Sequence, residues 1–136
     1  MRDLDQSLSL LEMSWKDFKA LCGMLDADVF DQEIFGFHVQ QAAEKAFKSL
    51  LALNVGEYPK VHDLRLLIRE LQNAGADIAP FLSLLEFNTY AVQFRYEALG
   101  APDEPIDREN VIREIRLLLE QVQRAVADAC AKDGTR

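Results

Sequence analysis

The sequence predicts an all-α fold, an up-and-down four-helix bundle with an additional short helix. Three observations lead there. Apolar residues recur at spacings of three and four along most of the chain. No stretch alternates with the period of two that a half-buried strand requires. Asp, Asn, Gly and Pro fall where helices of such lengths start and stop. The 136 residues can build one hydrophobic core but not two. A single domain over 1–136 is therefore expected, with a tail that frays from about residue 132.

The first helix carries Leu4, Leu8, Leu11, Trp15, Phe18, Cys22 and Leu25 on one stripe. Asp3 or Asp5 caps it, and the stretch 26–31 breaks it. The second runs from about 30 to 53, with Phe35, Val39, Ala42, Ala46, Leu50 and Leu53 inward and Phe47 and Leu51 widening the stripe. Gly36 lowers helix propensity there, which fits a close approach by a neighbour. The stretch 54–59, with Asn54, Gly56 and Pro59, ends this helix. Asp63 caps a short third helix with Leu64, Leu67, Ile68 and Leu71 inward, and Gly75 stops it. Asp77 and Pro80 read as the cap and early proline of a fourth helix, bent near Ser83, which continues through Leu85, Phe87, Tyr90, Val92 and Phe94 to Tyr96. It is apolar nearly all round, which places it centrally or against a partner subunit, so a homodimer is expected. After a polar turn at 100–105, Asp107 caps the last helix, whose stripe is Val111, Ile115, Leu118, Leu119, Val122, Val126 and Ala129.

The net charge of −8 argues against a stand-alone binder of duplex nucleic acid. The charge is uneven, however. Lys45, Lys48, Lys60, Arg65 and Arg69 cluster mid-chain, which suits a small anionic ligand. No apolar run is long enough to cross a bilayer, and Arg2, Asp3 and Asp5 interrupt the stretch a signal sequence would need, so a cytoplasmic location is expected. Cys22 and Cys130 fit no metal or redox spacing and read as buried, reduced thiols. Zinc spacings, Glu-x-x-His pairs, phosphate-cradling glycine loops and Ser–His or Cys–His pairings are all missing, so no metal or cofactor is expected.

Polar residues on unusual faces supply the candidate site. His38, Gln41, Lys45 and Lys48 recur at spacings of three and four, with Glu44 alongside. Glu44 and Lys48 stand in the favourable order for an ion pair. This row reads either as a solvated face or as a ligand-binding wall. Asn88 and Arg95, seven apart, share a face in a segment otherwise built of Leu, Phe, Tyr and Val. Arg95 either snorkels, pairs with Glu44 or Glu97, or binds an anion. Tyr96 beside it reads first as core. His62 opens the third helix, where free N–H groups favour anions, or else serves as a local capping residue.

Together, Gln41-Ala42-Ala43-Glu44-Lys45 with Lys48, then His62-Asp63-Leu64, then Phe94-Arg95-Tyr96 resemble the HEPN domain family. The resemblance implies a bundle of about five helices, commonly a two-fold homodimer, that works beside a minimal nucleotidyltransferase protein, often in a toxin–antitoxin-like pair. It implies a nucleotide ligand, with Arg95, Lys45 and Lys48 on phosphate and Tyr96 or His62 against base or sugar. Gln41 and Glu44 would complete that site, and Asn88 joins the candidates from its shared face with Arg95. Many relatives are metal-independent ribonucleases whose arginine is followed roughly four to six residues later by a histidine acting in proton transfer. Here 96–103 contains no histidine. The resemblance therefore implies a partner module without its own catalysis, with RNA a lesser expectation than a nucleotide. An endoribonuclease toxin using Arg95, and a purely structural dimerisation module, are the alternatives.

Overall fold

Aspartates start the helices. In the computed structural model, which describes residues 3–90 and 105–132, the Asp3 carboxylate accepts from the Gln6 backbone N–H at 3.0 Å and opens α1 (Leu4–Cys22). Asp63 accepts from the Arg65 N–H at 3.0 Å at the start of α3 (Leu64–Asn73), and Asp107 accepts from the Asn110 N–H at 3.1 Å at the start of α4 (Arg108–Lys132). Each satisfies an N–H with no partner inside its helix. The long α2 (Gln32–Asn54) follows Asp31, whose side chain makes no capping bond. Gly75 ends α3 with a φ of 82°, which an L side chain would resist. The regular elements among the described residues are all helices, with no strand. No helix among them is long and apolar enough to cross a membrane.

The segment read as a fourth α-helix is different. Ala79–Phe87 forms a 3-10 helix, its cap position is Ile78 rather than Asp77, and no side chain caps it. The Asp77 carbonyl instead accepts from Gln121 Nε2 at 2.9 Å. The reason lies in the spacing. Phe81, Leu84 and Phe87 are buried and stand three apart, so a helix of three residues per turn aligns them on one side. An α-helix would splay them. The expected continuation to Tyr96 lies outside the described residues, as does the tail beyond 132.

Helix α2 is the centre of the bundle and packs against α1, α3, α4 and the 3-10 helix. Phe35, Val39, Ala42, Ala43, Ala46, Phe47, Leu50 and Leu51 are buried on it. Gly36 admits the Tyr90 ring: a Cβ there would lie 2.5 Å from Tyr90 Cζ. Tyr90 in turn stacks on Phe87, with centroids 6.0 Å apart. Burial pushes the Tyr90 phenol pKa up, aided by the charges of Glu33 and Glu86 against a lowering bond from Gln32.

The packed face of α1 is rotated from the expected stripe. Its buried residues are Ser7, Leu11, Ser14, Phe18 and Leu21, while Leu4, Leu8 and Trp15 are partly covered. Ser7 Oγ donates to the Ser49 carbonyl at 2.9 Å and Ser49 Oγ to the Ser7 carbonyl at 2.7 Å. Ser14 Oγ donates to the Ala42 carbonyl at 2.7 Å. These small side chains let the two backbones approach, and their hydroxyls are satisfied by doing so. In consequence Cys22 is exposed, contrary to the expectation of a core thiol, whereas Cys130 is buried. Leu25 lies beyond the end of α1 and is exposed.

One buried charge joins the ends of this arrangement. Arg108 Nη1 donates to the Met24 carbonyl at 2.8 Å and Nη2 to the Phe30 carbonyl at 2.6 Å. Its guanidinium lies 4.9 Å from the Phe35 ring centre. Arg108 thus fastens the start of α4 to the α1–α2 connection.

Candidate functional site

Residues four apart on an α-helix occupy successive turns of one face. Gln40, Glu44 and Lys48 are such a series on α2, and all three are buried, at 0%, 4% and 7% exposure. Glu44 gathers the others. Its Oε1 accepts from Gln40 Nε2 at 2.7 Å and its Oε2 from Lys48 Nζ at 2.8 Å. The sequence spacing correctly pairs Glu44 with Lys48, but the pair is buried rather than solvated. Gln41, on the rim, donates from Nε2 to Gln40 Oε1 at 2.9 Å.

The loop between α2 and α3 makes the cover. Lys48 Nζ lies 5.5 Å from the centre of the Tyr58 ring, a distance at which the ring face attracts a cation. The Tyr58 hydroxyl accepts from Gln6 Nε2 at 2.9 Å, which ties the loop to α1. Further along, His62 Nδ1 stands 3.1 Å and 3.0 Å from the two Glu44 oxygens. An ionised carboxylate only accepts, so Nδ1 carries the proton, an assignment made from the partner. The His62 side chain is half exposed, at 50%, against 5% for Glu44. Within the described residues its hydrogen bonds run only to Glu44, which leaves Nε2 as the ring's unoccupied edge.

Asn88 holds the next residues in place. Its Oδ1 accepts from the Leu64 N–H at 2.7 Å, and its Nδ2 donates to Asp63 Oδ1 at 3.0 Å. With Asp63 also bonded to the Arg65 N–H, the first turn of α3 already has internal acceptors. It is therefore not the open anion site that its position suggested. Partial burial would raise the Asp63 pKa, but the Asn88 bond, the Arg65 and Leu66 backbone donors and the Arg65 charge together hold it below 3.8.

The remaining predicted site residues disperse. Lys45 pairs with Asp17 of α1, away from the Glu44 group. His38 Nδ1 bonds the Ile34 carbonyl one turn back at 2.9 Å. Arg95 and Tyr96 lie outside the described residues. The structure thus brings together Gln41, Glu44, Lys48 and His62, sets Asn88 behind His62 through Asp63, and takes Lys45 elsewhere. It adds Gln40 and Tyr58, which sequence reading overlooked. The four-residue spacing of Gln40, Glu44 and Lys48 was the available signal for the first; Tyr58 had none. Among the described residues, no three His, Cys, Asp or Glu side chains converge as a metal site requires. Every buried side-chain nitrogen or oxygen among them has a partner.

The family model described as HEPN domain matches residues 7–125. Comparisons with curated proteins and with solved structures give no match.

Proposed function

We propose a function from one premise: this chain belongs to the HEPN domain family, whose model covers most of its length. On that premise it is a nucleotide-binding partner module for a minimal nucleotidyltransferase, acts as a homodimer, and has no catalysis of its own. One observation carries the reading. The Glu44 carboxylate, 4% exposed, is spent on Gln40, Lys48 and His62, and presents His62 at the surface. A buried ion pair gains little over well-packed apolar residues. Its presence beneath a half-exposed imidazole therefore fits a ligand site better than a stability device. In this reading Gln41 and His62 form the wall over the buried Glu44 and Lys48, Tyr96 packs on the base, and Arg95 meets phosphate. Lys45 and Lys48 already face Asp17 and Glu44, so the phosphate role falls chiefly to Arg95. Calorimetric titration with ATP and GTP tests this. Binding that weakens at least about tenfold in Arg95→Ala, the scale of a lost charged hydrogen bond, is expected. Absence of heat at millimolar nucleotide would overturn it.

A second reading, the metal-independent endoribonuclease, is favoured by the same Glu44–His62 pairing. It supplies an oriented imidazole in a chain that has no histidine over 96–103. RNA cleavage by the purified protein that disappears in both His62→Ala and Arg95→Ala would establish it. An intact RNA substrate would dismiss it.

A further inference from the structure

We infer that His62 is a hydrogen-bond acceptor, and that its contact in the site is to a neutral donor on the ligand, a sugar hydroxyl or a base amine, and not to the phosphate that Arg95 meets. The inference rests on the nucleotide reading of the same site and narrows it to one contact. Three facts support it. First, both Glu44 oxygens face His62 Nδ1 at 3.0 and 3.1 Å, which fixes the proton of the neutral ring on that nitrogen. In that neutral tautomer Nε2 has a lone pair and no hydrogen. A lone pair repels phosphate oxygen and attracts O–H or N–H.

Second, the positive charge beneath is matched. Lys48 Nζ is 2.8 Å from Glu44 Oε2, and both side chains are under a tenth exposed, so the buried pair has no net charge to draw an anion. Third, the α3 N-terminus beside His62 is closed by Asn88 and Asp63, which removes the other local source of anion affinity. Among the described residues, His62 Nε2 is thus an acceptor oriented toward the surface. Glu44 is a positioning residue here: it sets the tautomer and touches no ligand.

The first test needs no ligand. In protein labelled with 15N-histidine, long-range proton–nitrogen spectra report which ring nitrogen is protonated, and only His38 and His62 contribute. A His38→Gln variant assigns the signals. An Nδ1–H ring with a bare Nε2 is expected at His62, and an Nε2–H ring would overturn the inference. The second test titrates the protein with ATP, 2′-deoxy-ATP, 3′-deoxy-ATP and inosine triphosphate. Loss of the donor that His62 accepts should weaken binding about five- to tenfold, the scale of one hydrogen bond. Weakening by a deoxy analogue identifies the hydroxyl, and weakening by the inosine compound identifies the amine. The difference should vanish in His62→Ala and return in part in His62→Gln. If ATP binds but the analogues match it, the acceptor role fails while the nucleotide reading stands. If inorganic triphosphate competes and loses that competition in His62→Ala, the contact is to phosphate and the inference fails. Silence with every nucleotide removes both.

Discussion

Glu44 serves three neighbours at once, so shortening it leaves each of them short of an acceptor. Glu44→Ala is expected to destabilise the fold by about 3–5 kcal/mol, because the buried Lys48 ammonium then faces no counter-charge. Urea denaturation checks this. Replacing Glu44 and Lys48 together by leucine should cost less than the two single changes summed, since neither charge is stranded. Asp63 gives a second test at this scale. Its folded pKa is below the ordinary 3.8, so its contribution is complete above that value and is lost as pH falls through the lowered one. Asn88→Ala removes one of the donors responsible. The Asp63 carboxyl should then titrate at higher pH by NMR, and an unchanged midpoint would contradict the role given to Asn88. Sequence showed the Glu44–Lys48 pair because i,i+4 spacing is local. Burial of the pair was not legible, since its cover, Tyr58 and His62, arrives from a loop whose path no periodicity encodes.

Helices were legible where their signals are short-range. Asp3, Asp63 and Asp107 all cap as expected, because a cap needs only its own next turn. The α expectation over this segment rests on Asp77, Pro80 and the dense apolar run, which do not distinguish the two periods; burial of Phe81, Leu84 and Phe87, three apart, selects the 3-10 helix. Gly36 shows the opposite outcome. It looked like a contact point from its low propensity alone, and the Tyr90 ring fills that space. Gly36→Ala would ordinarily gain about 1 kcal/mol in helix propensity. Here the clash should reverse the sign, with a net cost of about 1–3 kcal/mol. Thermal unfolding checks it, and the cost should shrink when Tyr90 is also changed to leucine. A more stable Gly36→Ala protein would show that the ring moves freely aside.

At the scale of the molecule, Arg108 closes the circuit between α4 and the α1–α2 connection. Arg108→Met keeps the stem but leaves the Met24 and Phe30 carbonyls without these donors, for an expected loss of about 2–4 kcal/mol. Faster limited proteolysis within 24–31 would locate the damage. No sequence pattern marked Arg108, because an arginine in the first turn of a helix looks like any solvated charge. The serine seam between α1 and α2 has a different consequence. Its three hydroxyl-to-carbonyl bonds join small side chains, and a slide of one turn would set Ser7 against Lys45 or Leu53 in place of Ser49. These two helices are expected to move as one plank, and an adjustment to an arriving molecule is expected at the α2–α3 contact instead. Spin labels straddling the plank should keep their separation when ATP is added, and labels across that contact are where a change would register.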